Sequence, residues 1–351
     1  MKNNFPLLLS VAACLLAACN KLPAELPVAE GSLTVDLSGI SATKATTGTT
    51  AENIVGNLSL FVFDENGMLD LSHSCSATEI QNKKAVLRIK TGTKTVYAAA
   101  NLSSSLQEQA FAVCRLSDLE ALAYALSDNA PGGLVMRGSK SSVKVTTAAA
   151  STTVPLTRGV ARVSLSSVKN SLPASYGTVK LERAFLCNVV GNQNLKGDAA
   201  PDLSQYVNQE ATRGHVKSQV IGTGSVEAEC KDLTFKTLGE NVASGKSQSY
   251  TNKFFYGFPN ALKTPNNGFN ATFTPTATVL MVVVTIKDIP YYYPVPLSGG
   301  LAANTEYKVD LTLAGLGNTE DDPFARIEKG DLTVSVSVSA WTTGTGISET
   351  I

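Results

Sequence analysis

Histidine is almost missing from this chain: His73 and His215 are the only two. A Ser-His-Asp arrangement would have to use one of them, and neither sits in a supporting motif, so no catalytic residue and no enzyme is expected. Charge is scarce as well, at 17 % of residues, with 29 basic against 29 acidic side chains and no basic tract. That balance speaks against nucleic acid as a partner. The six cysteines contain no C-x-x-C pair, so a zinc ribbon or a dithiol redox motif is not indicated. His73-Ser74-Cys75 offers two metal ligands where a zinc site needs more; His73 reads as a surface residue, and neither metal nor cofactor is expected. Gly239 to Gly245-Lys246-Ser247 imitates a phosphate loop, but five residues separate its glycines where four are required.

What is present begins at the amino terminus. Lys2 precedes an almost unbroken apolar run from Phe5 to Ala18, and small residues lead into a cysteine at Leu16-Ala17-Ala18-Cys19. A charged start, a short apolar core and a small-residue cleavage site read as an export signal over residues 1–18. The run is shorter than the ~20 residues needed to cross a bilayer. Its end resembles the lipobox of bacterial lipoproteins, which implies cleavage between Ala18 and Cys19 and a lipid on Cys19. Val11-Ala12-Ala13-Cys14 has a similar look but lies mid-run and would leave too short an apolar segment. The rest of the chain, about 330 residues, is enough for two domains of ordinary size working outside the cytoplasm. Cys75, Cys114, Cys187 and Cys230 remain there, two in each half. An oxidising compartment permits disulfides, and isolated buried thiols are an equal alternative.

Past a tether at 20–30, strand patterns dominate. Leu33, Val35 and Leu37 share one face of Gly31–Ile40, a strand with one buried face. Residues 41–50 form a Thr-, Ala- and Gly-rich loop whose only charge is Lys44, a natural place for proteolysis. Asn57–Phe63, Ala85–Ile89 and Lys94–Asn101 are further strands. Leu116, Leu119, Leu122, Ala123 and Leu126 recur at helical spacing, and Ser117 with Glu120 offers a capping box, so one helix is expected there. A second domain opens at Val154. Thr278–Ile286, apolar on both faces, should be a central strand, whereas Tyr291–Leu297 carries prolines and should lie at an edge. Asn304–Leu313 alternates cleanly, and the chain closes on Asp331–Trp341 with Val334, Val336 and Val338 facing one way. The expectation is an all-β protein of two tandem antiparallel β-sandwiches, 19–153 and 154–351, with one short helix in the first.

Several of these pieces together resemble the fimbrillins, the lipoprotein-derived subunits of type V pili. They are the lipobox, Asn57-Leu-Ser-Leu-Phe-Val-Phe63, Lys94-Thr-Val-Tyr-Ala-Ala-Ala-Asn101, Leu156-Thr-Arg-Gly-Val-Ala-Arg-Val163, Asn304-Thr-Glu-Tyr-Lys-Val309 and Val334-Ser-Val-Ser-Val-Ser-Ala-Trp341. The resemblance implies transthyretin-like sandwiches and an outer-membrane, lipid-anchored precursor. It also implies an extracellular protease that removes the first strand, and a fimbrium built when another copy or a related subunit fills the gap. Backbone pairing would hold the donor and alternate side chains would set its register. Mapped onto this chain, the removable strand carries Leu33, Val35, Leu37 and Ile40 within 31–50. The cut falls between Lys44 and Ala45, and the donor region includes Val334, Val336, Val338 and Trp341. One departure stands out. Polymerising members are often cut after arginine, yet no arginine precedes Arg88. Either lysine serves, or the strand stays and the subunit is a non-polymerising anchor. A surface lipoprotein that binds glycans or another ligand is the remaining reading, with Tyr291–Tyr293 its candidate platform against plain edge packing. Arg158 and Arg162 are expected as solvated strand residues, against interdomain ion pairs.

Overall fold

The computed structural model describes residues 29–37, 50–130, 132–197, 206–208, 230–263, 276–319, 324–325, 327, 331–341 and 347–350. In chain order the first part comprises β1 (Glu30–Asp36), β2 (Leu58–Phe63), β3 (Leu69–Ser74), α1 (Ala77–Asn82), β4 (Lys84–Lys90) and β5 (Gly92–Ala100). There follow α2 (Ser104–Ala112), α3 (Leu116–Ala121), β6 (Ala123–Ala125), β7 (Met136–Val145), β8 (Ala150–Thr153) and β9 (Thr157–Arg158). The second part comprises β10 (Ala161–Asn170), β11 (Val179–Cys187), β12 (Val189–Val190), β13 (Asn192–Asn194), β14 (Tyr206–Val207), α4 (Lys231–Thr234), β15 (Phe235–Thr237) and β16 (Asn241–Val242). It ends with β17 (Ser247–Ser249), β18 (Phe254–Gly257), β19 (Val279–Ile286), β20 (Ile289–Pro296), β21 (Thr305–Leu313), β22 (Leu332–Ala340) and β23 (Ile347–Thr350).

The first sandwich lays a three-stranded sheet, β4-β1-β8, over a five-stranded one, β3-β2-β5-β7-β9. Side chains alternate across a strand, and here both faces of the larger sheet are used. Leu58, Leu60 and Val62 of β2, with Val96, Ala98 and Ala100 of β5, pack into the sandwich. Phe61, Phe63, Tyr97 and Ala99 point the other way, into a core shared with Leu106, Ala110 and Leu119 of the helices and with the second sandwich. The sequence Leu-Ser-Leu-Phe-Val-Phe thus encodes a doubly buried strand.

The second sandwich pairs the sheet β17-β10-β21-β22-β23, with β18 also on β10, against β15-β11-β19-β20, with β16 on β11. β19 is central, as its apolar faces predict: Leu280, Val282 and Val284 enter the main core, Val279, Met281 and Val283 a smaller outer cluster. β20 lies at the edge, where Pro290, Pro294 and Pro296 cost no interior ladder bonds. Most pairings are antiparallel, but β1–β8 and β10–β21 are parallel.

The helical content departs from expectation in detail. The Leu116 helix stops at Ala121, and Ala123–Ala125 instead pairs with Asn192–Asn194 as a strand. Tertiary pairing overrides the helical spacing there. Its cap is Arg115 rather than Ser117, whose hydroxyl donates to Asp118. The capping box lies elsewhere, at Ser76 and Glu79 of α1, and α2 adds another short helix. Gly159, where the chain passes from one sandwich to the next, is fixed by space: a Cβ there would lie 2.1 Å from the Tyr124 hydroxyl.

Candidate functional site

β1 is the middle strand of its sheet. It pairs antiparallel with β4 from Glu30↔Lys90 to Asp36↔Lys84, and parallel with β8 from Leu33↔Ala150 to Asp36↔Thr153. Leu33, Val35 and Leu37 are buried to 0 %, 0 % and 1 % exposure, while Thr34 and Asp36 face outward and are half-buried. The three apolar side chains sit against Leu58, Leu60, Val62, Leu87 and Ile89 in a core that, among the described residues, contains no aromatic side chain. Each such burial contributes about 1.5–3 kcal/mol. At one end the Thr91 N–H donates to the Ala29 carbonyl, and at the other the Leu37 N–H donates to that of Lys83, both at 2.8 Å. Gly31 is required by close approach, because a Cβ would lie 2.0 Å from the Thr146 carbonyl. Taking β1 out would leave an aliphatic trough between two strands, β4 and β8, each with an unpaired edge. Such edges seek another strand. Ala18, Cys19, Ile40, Lys44 and Ala45 lie outside the described residues.

At Glu52 the chain is fastened by a different chemistry. Glu52, 1 % exposed, receives Arg162 Nη1 on Oε2 at 2.7 Å and the Tyr256 hydroxyl on Oε1. The second nitrogen of Arg162 reaches Glu306 Oε1, also at 2.7 Å. Arg158 donates from Nε to the Glu52 carbonyl at 3.2 Å, from Nη1 to Asn304 Oδ1 at 3.0 Å, and from Nη2 to Asn53. Trp341 closes the cluster. Arg158 lies 4.5 Å and Arg162 5.2 Å from its ring centre, and Tyr256 stacks on it at 5.9 Å. Burial, then the Glu52 carboxylate, pushes the Tyr256 phenol far above its ordinary range, so it stays a donor. Burial lowers the Arg158 guanidinium from its usual value, and Glu52 works against that shift. Both arginines are therefore buried, Arg162 as an ion partner of Glu52 and Glu306 and Arg158 as a hydrogen-bond donor beside them, contrary to the solvated role expected for them. The reason is that β9 and the start of β10 run through the junction, not over the surface.

The carboxy-terminal residues lie within the chain's own fold. Val336 belongs to the core of its own sandwich, half-buried Val334 and Val338 pack against it, and Trp341 is 2 % exposed in the junction. β22 is an interior strand: it pairs with β21 over nine positions, Thr305↔Ala340 to Leu313↔Leu332, and with β23 on its other side. β23, from Ser335↔Thr350 to Val338↔Ile347, is the edge strand of the sheet.

The tyrosine platform is not formed. Tyr292 and Tyr293 are 1 % and 0 % exposed, in the outer and main cores respectively, which leaves no row of rings for a sugar to stack on. Cys75, Cys187 and Cys230 are buried and Cys114 is exposed. His73 is not a lone surface residue; its Nε2 lies 3.0 Å from Glu79 Oε1. Among the described residues no helix is long and apolar enough to cross a membrane.

Known proteins share this architecture. The family model of the major fimbrial subunit protein (FimA) matches residues 29–183. No curated protein matches the chain. Among solved structures, a fimbrilin from Porphyromonas gingivalis is similar with a TM-score of 0.60 at 13 % identity, covering 90 % of this chain and 98 % of its own. A candidate cell adhesion protein from Parabacteroides distasonis gives a TM-score of 0.61 at 17 % identity, covering 89 % and 99 %. One from Bacteroides eggerthii gives 0.59 at 20 %, covering 90 % and 97 %. The two-sandwich fold is theirs.

Proposed function

Because the fimbrillin resemblance is borne out by the match over residues 29–183 and by the shared fold, we propose that this chain is a structural subunit of a cell-surface fimbria that supports adhesion. It is exported as a lipoprotein, lipidated on Cys19 at the outer membrane, and activated when a protease cuts the loop between β1 and Glu52. The observation that carries this reading is the place of β1. It is a central strand, held by backbone ladders and aliphatic side chains, and the chain is next locked separately at Glu52. A cut in the loop frees β1 and leaves the Glu52 segment fastened. Another subunit's strand then restores both ladders and refills the trough. Head-to-tail joining of this kind does not close on itself, so the product is a filament.

We place the donor beyond Trp341 rather than in β22. Withdrawing β22 would break its nine-position pairing with β21 and pull Trp341 out of the arginine cluster. β23 carries four pairs on one side only.

Intact mass and amino-terminal sequencing of the protein recovered from assembled surface material test the proposal. A start at Ala45 is expected, with Lys44→Ala retaining β1 and failing to polymerise. A second reading, the non-polymerising anchor, draws on the absence of arginine before Arg88. It would be favoured by a lipid-modified Cys19 surviving in that fraction.

A further inference from the structure

Where β3 turns into α1, three side chains of different chemistry converge. His73 lies near the end of β3, Cys75 comes two residues later, and Glu79 is in the first turn of α1. One donor atom from each lies within 4.8 Å of the others. We infer that His73, Cys75 and Glu79 form a binding site for a divalent transition-metal ion of the zinc class.

Each ligand is held before any ion arrives. The Cys75 N–H donates to the Leu58 carbonyl at 2.8 Å, which anchors the residue to β2. Glu79 is oriented by the capping box: its Oε2 accepts from the Ser76 N–H at 2.8 Å and from the Ser76 hydroxyl at 2.9 Å. Both carboxylate oxygens also reach His73 Nε2, Oε1 at 3.0 Å and Oε2 at 3.2 Å. His73 and Glu79 side chains are 32 % and 24 % exposed, so an ion has a path in, while Cys75, at 8 %, forms the floor. Imidazole, thiolate and carboxylate together suit zinc or cobalt rather than calcium or magnesium, which prefer oxygen throughout. Zinc–ligand bonds of about 2.0–2.3 Å place tetrahedral donors about 3.3–3.7 Å apart, inside the 4.8 Å within which the three donors already lie.

Binding breaks the Cys75 S–H bond, forms one metal–sulfur bond and releases one proton to solvent. The imidazole exchanges its bond with Glu79 for the ion, and a water completes the fourth position. The result ties β3 to α1 at a corner next to β4, the strand that flanks β1.

Titration of the full-length protein with cobalt(II) tests the site. One equivalent should produce a thiolate-to-cobalt charge-transfer band and intense tetrahedral ligand-field bands. Cys75→Ser should lose the charge-transfer band. His73→Ala, a partly exposed position that leaves the core intact, should abolish tight binding and the zinc-dependent rise in melting temperature. Ser76→Ala should keep the band but weaken affinity about tenfold, as removal of an orienting partner does. A cobalt spectrum without the thiolate band, its persistence in Cys75→Ser, or unchanged affinity in His73→Ala would overturn the assignment.

Discussion

The first strand and the segment around Glu52 are near neighbours in sequence and opposites in chemistry. β1 is held by two ladders and by Leu33, Val35 and Leu37 in an aliphatic trough. Glu52 is held by charge and ring contacts with Arg162, Arg158 and Tyr256. Backbone ladders and aliphatic pegs are generic. Any strand with side chains of similar size at alternate positions satisfies them, and register is the only selection. A buried carboxylate bonded by a guanidinium and a phenol, with a second guanidinium on its own main-chain carbonyl, is specific. On the function proposed above, the contrast divides the chain into a part to be exchanged and a part that stays.

Breaking the fixed part should cost most. Arg162→Met removes the counter-ion of both Glu52 and Glu306, each buried. The expected loss is about 3–5 kcal/mol in urea unfolding, because two buried carboxylates lose their nearest cation. Replacing all three, Glu52→Gln and Glu306→Gln with Arg162→Met, should recover much of it. A single variant no less stable than the parent would mean that the junction is wet and holds nothing.

Leu33→Ala tests the exchangeable part. In the uncut chain it should cost about 2–5 kcal/mol, the range for a fully buried leucine. In protein already cut in the loop and filled by a donor, the substitution should cost nothing, since the residue is gone. A loss of equal size in both forms would show that β1 never leaves, and the contrast between the two regions would collapse.

Much of the exchangeable part is legible in the sequence, and almost none of the fixed part. Alternation at Leu33, Val35 and Leu37 predicts the buried face of β1, and the doubly apolar Val279–Ile286 predicts a central strand, because period and burial are local properties. The Ser76–Glu79 capping box is also written in the sequence as Ser-x-x-Glu, although helical spacing points to Leu116 instead. Glu52, Arg162 and Glu306 carry no such signal. They are brought together only when β9 and β10 cross from one sandwich to the other, so each reads alone as a surface charge. Val336 illustrates the limit: alternation identifies its face but not whether that face belongs to its own core or to a neighbour's.

The smallest effect at neutral pH separates the two regions by titration. The trough is aliphatic, whereas Tyr97, Tyr124 and Tyr256 line the core that joins the sandwiches. Tyr124 packs edge-on against Phe258 at 5.1 Å and donates to Gln193 Oε1 at 3.1 Å. Burial pushes its phenol up to about 12, above the ordinary value of 10.0. A folded-state value above the unfolded one means stability that is complete below pH 10 and declines between the two values as the unfolded state sheds its proton first. Tyr124→Phe should therefore cost only about 0.5–1.5 kcal/mol at neutral pH, one hydrogen bond, and give a shallower alkaline limb. Tyrosinate absorbance tracked together with hydrogen exchange at β1 would decide it. The junction should loosen with rising pH while the amides of Leu33 and Val35 stay protected, and simultaneous loss of both would mean that slot and lock unfold as one unit.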